Sequence, residues 1–413
     1  MPPEREATLQ IRCLGVREML YLGIDIGKKH HEAGFVADDG KRIGKSLRFS
    51  NDRKGYESLL DFIKRRLPQG EEMCIGMEAT GHYWLALYSF LLDKDFVIHV
   101  INPIQSDSLR NFRIRQTKTD SVDSFLIAET IRFGNFETTR LAEEDTLKLR
   151  ELTRFRESFQ DDCSSLKRQV VSIMDKVFPE YESLFSDMFC RSSNAVLKEC
   201  VVPGEVMDVD LEILANLLKE ASRGRLGAKK AMQIKDAAAS SIGVLLCSDT
   251  LAFQIRMLLE NIEFTGKQIA RIDSEIENLM SRMDQVITTV PGVGPVTGAV
   301  MLGEIGDINR FDSPRKLVAY AGLDSQLKQS GSYEGKRNRM SKRGSPYLRR
   351  AFWMSAVVAA QYDPVFKAFY EKKRKEGKAY GTAIGAVARK LAWTVYSVLK
   401  TGKPYEVRLD TIV

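Results

Sequence analysis

A carboxylate placed inside an apolar run constrains the first third of the chain more than anything else in it. In YLGIDIG (21–27), Asp25 is flanked by Ile24 and Ile26, which on a strand point to the opposite face of the sheet. An isolated buried charge there is strongly unfavourable, so the strand needs a partner or a cation for it. Glu78 closes a second apolar strand in the same way, in CIGMEATGHYW. KTDSVDS then sets Asp120 and Asp123 three residues apart, on one side of the first turn of a helix that runs on through FLIAETI. Taken singly, each acid has an ordinary explanation, as a turn former or, for Asp120, an N-cap. In this order, two strand-borne acids and a helical pair form a donor set for two divalent metals about 3.5 to 4 Å apart, suited to attack at a phosphodiester.

The elements around these acids predict an α/β layer. YLGIDIG, HEAGFVAD (31–38) and RIGKSLRF (42–49) read as three short strands joined by turn residues such as Asp38, Asp39 and Gly40. A helix around YESLLDFIKRRL, the strand MCIGME, a helix from about His82 to Leu92 and the strand FVIHVI follow. A three-strand meander followed by strand and helix alternation is the order of a ribonuclease H-like (RuvC-like) α/β domain. The start GIDIG also suits the phosphate loop of actin-like ATPases and sugar kinases. Against that, Lys28, Lys29 and His30 stand where small and hydroxyl residues belong, and no second glycine-rich loop follows.

A chain of 413 residues exceeds what one core usually serves, and two or three domains are expected. From about Ala142 the period changes. Leu152, Phe155, Phe159, Leu166, Val170, Ile173 and Val177 recur at mixed three and four spacing, and a stripe from Ile255 to Met283 repeats the pattern. Two long coiled-coil helices are expected, paired antiparallel within one chain or with a second chain. Between them lies an irregular helical insert at 190–245. A third segment opens at TTVPGVGPVTG, whose Gly292 and Gly294 resemble a helix-hairpin-helix turn that lets backbone N–H groups approach phosphates. The expected boundaries are a leader at 1–18, an α/β domain at 19–140, the coiled-coil region at 141–287 and a mostly α-helical segment at 288–413.

Charge is concentrated more than it is excessive. The net charge is only +7, but Arg315 to Arg350 carries Lys336, Arg337, Arg339, Lys342, Arg343 and Arg349 against Asp324 and Glu334, a phosphate-contacting surface or a solvated face. Ser330 sits beside Gly331 just ahead of these cations. A serine hydroxyl attacks a phosphate only if its proton is removed or its target is neutralised, and cations do the latter. Ser332, Ser341 and Ser345 compete for the role. Six scattered cysteines without CxxC, no apolar signal core and no apolar run of spanning length predict a reduced cytoplasmic protein outside the membrane.

The motifs IDIGKKHHEAGFV, GMEATGHYW, INP, KTDSVDS, VPGVGPVTG, AYAGLDS, QSG, SKRGSPYLRRA and GKAYGTAIGAVARKL, in this order over nearly the whole length, resemble the DEDD transposases of insertion sequences. The resemblance implies a RuvC-like site of Asp25, Glu78, Asp120 and Asp123 holding Mg²⁺, with Mn²⁺ as the alternative. It implies that Ser330, the serine of QSG, is the covalent nucleophile of a C-terminal transposase domain acting on donor and target DNA in the bacterial cytoplasm or nucleoid. It further implies a non-coding bridge RNA as guide, and a homodimer assembling to a tetramer in which different protomers complete each site. The leader is longer than is usual in the group, which makes Met19 a candidate native start. Two other readings stand beside this one: a metal-dependent, Holliday junction resolvase-like nuclease with an incidental serine, and a non-catalytic nucleic-acid scaffold.

Overall fold

The computed structural model describes residues 19–67, 72–78, 82–101, 120–134, 144–325, 329–330, 333–334 and 340–407. The chain divides between residues 141 and 142 into two compact units.

The first unit is built on a five-stranded sheet. Its strands are β1 (Met19–Asp25), β2 (His30–Ala37) and β3 (Leu47–Ser50), followed by helix α1 (Arg53–Arg66), β4 (Glu72–Glu78), α2 (Trp84–Leu92), β5 (Ile98–Ile101) and α3 (Asp120–Arg132). The strand order is β3-β2-β1-β4-β5. The meander β1-β2-β3 is antiparallel, whereas β4 and β5 run parallel to β1. This mixed sheet is compatible with a ribonuclease H-like fold. The expected third strand over 42–49 is shorter in the structure. Arg42 makes only an isolated bridge to Val36, and Gly44 at φ +69° turns the chain before pairing resumes at Leu47.

Alternation gives the sheet two unlike faces. Leu22, Ile24, Phe35, Ile75 and Met77 point to one side and form a core with Leu59, Phe62 and Ile63 of α1 and Leu87 and Leu91 of α2. Each such fully buried side chain stabilises the unit by about 1.5–3 kcal/mol. Asp52 fixes the start of α1 by accepting from the Gly55 amide at 2.8 Å, and Lys64, Arg65 and Arg66 sit in its last turn, where cations complement the helix dipole.

The opposite face receives α3. Gly34, Gly23 and Gly76 stand side by side across β2, β1 and β4, and α3 lies along this glycine row. A Cβ on Gly23 would fall 2.0 Å from the Ser124 carbonyl oxygen and 2.3 Å from the Ala128 nitrogen. At Gly34 it would meet the Phe125 ring at 2.9 Å, and at Gly76 the Ile131 side chain at 2.8 Å. Three bare backbones thus let a helix approach the sheet more closely than any side chain would allow.

The second unit is helical. Helix α4 (Glu144–Val177) leads into the short helices α5 (Tyr181–Leu184), α6 (Arg191–Glu199), α7 (Pro203–Asp208), α8 (Leu211–Ala221) and α9 (Ala228–Ala239), and the chain returns along α10 (Ser248–Arg282). The long helices pack antiparallel, since Leu149 shares a core with Ile276 and Leu279 while Val170 and Met174 share another with Ala252 and Ile255. Arg156 pairs with Asp273 midway along them. The residues expected as an irregular insert belong to that second core through Val196, Leu214, Leu218 and Ile234.

After α10 come α11 (Pro295–Ile305), α12 (Pro314–Tyr320), the two-residue strands β6 (Gln329–Ser330) and β7 (Tyr333–Glu334), then α13 (Pro346–Tyr362), α14 (Pro364–Lys375) and α15 (Tyr380–Thr401). Proline opens α11, α12, α13 and α14, where its missing N–H costs nothing. Met301, Leu348, Phe352, Val387 and Leu391 join Leu149 and Ile276 in one core.

Candidate active site

The glycine row fixes where the acids go. Side chains two residues apart share a sheet face, so Asp25, two beyond Gly23, and Glu78, two beyond Gly76, both stand on the α3 side. Each lies one residue past the paired Ile24 and Met77, side by side at the carboxyl ends of adjacent parallel strands. Helix α3 runs antiparallel to β1. Ser124 and Ala128 cover Gly23, and Ile131 reaches back towards Tyr21 and Cys74. Ile127 packs over Gly76, so Asp123, one turn earlier on that face and only 7 % exposed, lies towards the ends that carry Asp25 and Glu78.

Asp120 is the first residue of α3, and its side chain lies outside what the structure describes. Among the described residues, no three His, Cys, Asp or Glu side chains are grouped closely enough to hold one metal ion. Asp25, Glu78 and Asp123 therefore share a face and an end of the sheet without forming a closed coordination shell.

Sequence reasoning missed one acid on this face. Glu32 pairs directly with Asp25 across β1 and β2, is 9 % exposed, and accepts a 2.6 Å hydrogen bond from the Ser46 hydroxyl. Its signal was the alternation Glu32, Gly34, Val36, legible only once Gly34 is known to face Gly23.

In the second unit, Ser330 ends β6 and pairs with Tyr333, and the hairpin is closed further out by a bridge between Ser325 and Met340. Ser332, Lys336, Arg337 and Arg339 lie outside the described residues. Of the described cations, Lys342 and Arg343 are exposed, with Lys342 at φ +54°, while the Arg349 guanidinium donates to the Ala321 carbonyl at 3.4 Å. Two competing serines have structural partners: Ser341 donates to Asp324, and the Ser345 hydroxyl caps α13 by accepting from the Leu348 amide at 3.1 Å. Gly292, at φ +78°, has a packing reason, because a Cβ there would lie 2.2 Å from the Ser355 carbonyl oxygen. The Gly294 amide donates to the Thr297 hydroxyl at 2.9 Å.

A buried carboxylate holds the start of α13. Glu304 of α11, 2 % exposed, accepts from Arg154 at 2.7 Å and 3.2 Å and from the Ser345 hydroxyl at 2.7 Å. Burial pushes its carboxyl up, but the hydrogen bonds from Arg154 and Ser345 and the charges of Arg154 and Arg150 outweigh that and hold it below the usual range. The two units thus present distinct equipment, carboxylates on one face of a sheet and a short serine-bearing hairpin followed by exposed cations.

Two family matches cover much of the chain. Residues 22–179 match a DEDD-type IS110 transposase family, and residues 284–371 match the transposase family of IS116, IS110 and IS902. Fold and matches together define a transposase of the insertion-sequence class. The chain belongs to the IS110/IS116 family. It is 25 % identical over 400 residues to the pilin gene-inverting protein of Moraxella bovis, covering 94 % of this chain and 98 % of that one. It is 23 % identical over 397 residues to the 43.6 kDa protein of insertion element IS110 from Streptomyces coelicolor, with 94 % and 96 % covered. To the 42 kDa protein of insertion element IS900 from Mycobacterium paratuberculosis it is 24 % identical over 397 residues, with 95 % and 98 % covered. Among the described residues no helix is long and apolar enough to cross a membrane.

Proposed function

We propose that this transposase cuts and rejoins DNA through a phosphoserine intermediate, using Ser330 as nucleophile and Asp25, Glu78, Asp120 and Asp123 as a divalent-metal site. The observation that carries the reading is the placement of Asp25 and Glu78 side by side on the α3 face, with Asp123 buried in the first turn of the helix that covers it. An all-carboxylate donor set suits a hard cation such as Mg²⁺, which when bound supplies charge neutralisation at the phosphate under attack.

In the proposed step the Ser330 oxygen attacks a phosphorus of the DNA backbone. A Ser330 O–P bond forms as the P–O bond to the departing sugar oxygen breaks, the serine proton passes to solvent, and the departing oxygen is protonated to a free hydroxyl. The phosphoserine ester keeps the energy of the broken bond, so attack by a different DNA hydroxyl rejoins the strand and frees the serine. Rejoining agrees with relatives named for gene inversion. The cations at Lys342, Arg343 and Arg349, with Lys336, Arg337 and Arg339, would hold the backbone phosphates.

The proposal extends to a non-coding bridge RNA that pairs with donor and target DNA, leaving sequence recognition to base pairing, and to a homodimer that assembles to a tetramer. Exposed Phe253, Met257 and Phe264 on α10 offer apolar area for such association.

The test incubates the protein with Mg²⁺, the element-derived RNA and target DNA, and looks for a covalent protein–DNA adduct on a denaturing gel. The expected adduct is present in the wild type and lost in Ser330→Ala. Cleavage that survives Ser330→Ala but disappears in Asp25→Ala would identify a metal-dependent, resolvase-like nuclease instead.

A further inference from the structure

A cavity of about 980 Å³ opens at the root of the Ser330 hairpin, walled by Ser325 and Met340 of the closing bridge and by residues of α13 and α15. Its lining includes Lys342, Arg349, Arg350 and Arg389, and no Asp or Glu among the described residues. Arg350 is engaged by Glu157 and Asp161. Lys342 is exposed and held in a left-handed conformation, and Arg389 is half-buried with one 3.2 Å hydrogen bond to the Ser325 hydroxyl. Both have donors left over for an anion.

One wall is aromatic. Trp353 of α13, half-buried, lines the cavity together with Gly381 and Gly385, one turn apart on α15. Neither glycine has a positive φ; a Cβ at Gly381 would touch the indole at 3.7 Å and one at Gly385 would touch it at 3.6 Å. Glycine costs about 1 kcal/mol relative to alanine inside a helix, so Gly385 needs a reason, and Gly381 in the first turn of α15 continues the same face. Here they leave the space beside the indole open where longer side chains would fill it.

We infer that this cavity takes one unpaired nucleotide of a nucleic-acid strand, its base against Trp353 and its phosphates on Lys342, Arg349 and Arg389. A concave site of ligand size that combines an indole wall with cations and has no carboxylate among its described lining residues matches the recognition of single strands, where every base offers a π-face and every linkage a charge. Duplex DNA presents its phosphates on a convex surface, which suits the exposed Arg343 outside the cavity better than the space within it. The inference deepens the transposase reading: strand exchange leaves bases unpaired beside the cut, and this cavity lies at the base of the hairpin that carries the proposed nucleophile.

The test uses the full-length protein and its tryptophan fluorescence. Titration with an eight-nucleotide oligothymidine and with the matching oligouridine separates a DNA strand from an RNA strand, and a blunt duplex and inorganic pyrophosphate serve as competitors. Quenching by at least one single strand is expected. It should be lost in Trp353→Phe, with affinity falling about tenfold in Arg389→Gln and in Gly381→Leu, which fills the cavity without removing a charge and keeps a good helix former. Quenching unchanged in Trp353→Phe, equal competition by duplex or pyrophosphate, or full affinity in Gly381→Leu overturns the inference. Circular dichroism of each variant establishes that it is folded. Failure here with an intact Ser330 adduct leaves the proposed function standing. Absence of the adduct with intact single-strand quenching removes that function and leaves the cavity's ligand in place.

Discussion

Arg154 holds Glu304 through two hydrogen bonds, at 2.7 Å from Nε and 3.2 Å from Nη2, joining residues 150 positions apart in the chain. The same carboxylate takes the hydroxyl of Ser345, which caps α13. A charge pair on α4 and α11 therefore holds the residue that caps α13. The pair is asymmetric, since the Glu304 side chain is 1 % exposed and the Arg154 side chain 35 %.

Glu304→Gln is expected to destabilise the second unit by about 2 kcal/mol, because a charge-assisted bidentate contact becomes a neutral one while Arg154 can still turn to water. The denaturant midpoint followed by circular dichroism measures this, and a midpoint equal to wild type refutes it.

The same carboxylate carries a pH dependence of known sign. Its folded pKa is held below the ordinary value of 4.5, so its stabilisation is present above that value and is lost as pH falls through the folded pKa. Wild type should lose stability on acidification through this window more steeply than Glu304→Gln. Parallel curves would show that Glu304 is not the group responsible.

Gly23→Ala is expected to lift α3 from the sheet, because its Cβ would lie 2.0 Å from the Ser124 carbonyl oxygen, which is backbone and cannot swing aside. Overpacking of this kind costs about 3 kcal/mol. Hydrogen exchange should accelerate first in the amides of α3, and DNA cleavage should fall by more than the folded fraction does, since Asp120 and Asp123 ride on that helix. Unchanged exchange in α3 would mean that the row tolerates a methyl group.

Asp25→Asn removes a charge without changing shape, and cleavage should drop by more than about 100-fold while the fold persists. Without divalent metal the thermal midpoint should rise slightly, because Asp25 neighbours Glu32 and Glu78 on one face and like charges repel. Added Mg²⁺ should stabilise the wild type and leave Asp25→Asn where it was. Equal stabilisation of both would place the cation elsewhere.

The acid-bearing strands were legible because a charge inside an apolar alternation is conspicuous at short range. Asp25, Glu78 and the pair at Asp120 and Asp123 each carry their own local signal, and α3 begins at the first member of that pair. The strand expected at 42–49 starts only at Leu47 for an equally local reason, the left-handed turn at Gly44, which apolar spacing does not register. Glu32 was invisible because its face depends on the pairing of Gly34 with Gly23 across a hairpin. Ser341 and Ser345 compete with Ser330 on residue chemistry alone, and their hydrogen bonds to Asp324 and Glu304 join residues too far apart in the chain for any local pattern to register.

By itself, the sequence determined the alternation of strands and helices, the acids they carry and the clustered cations, all of which follow from side-chain chemistry within a few residues of each position; the transposase family came from the resemblance of whole motifs in order. Tertiary structure decided which acids share a face, that three glycines form the bed for α3, that Arg154 holds Glu304 against the cap of α13, and that Trp353 and Arg389 line one cavity. These depend on contacts between residues far apart in the chain, and a contact of that kind exists only once backbone pairing and core packing have brought its two ends together.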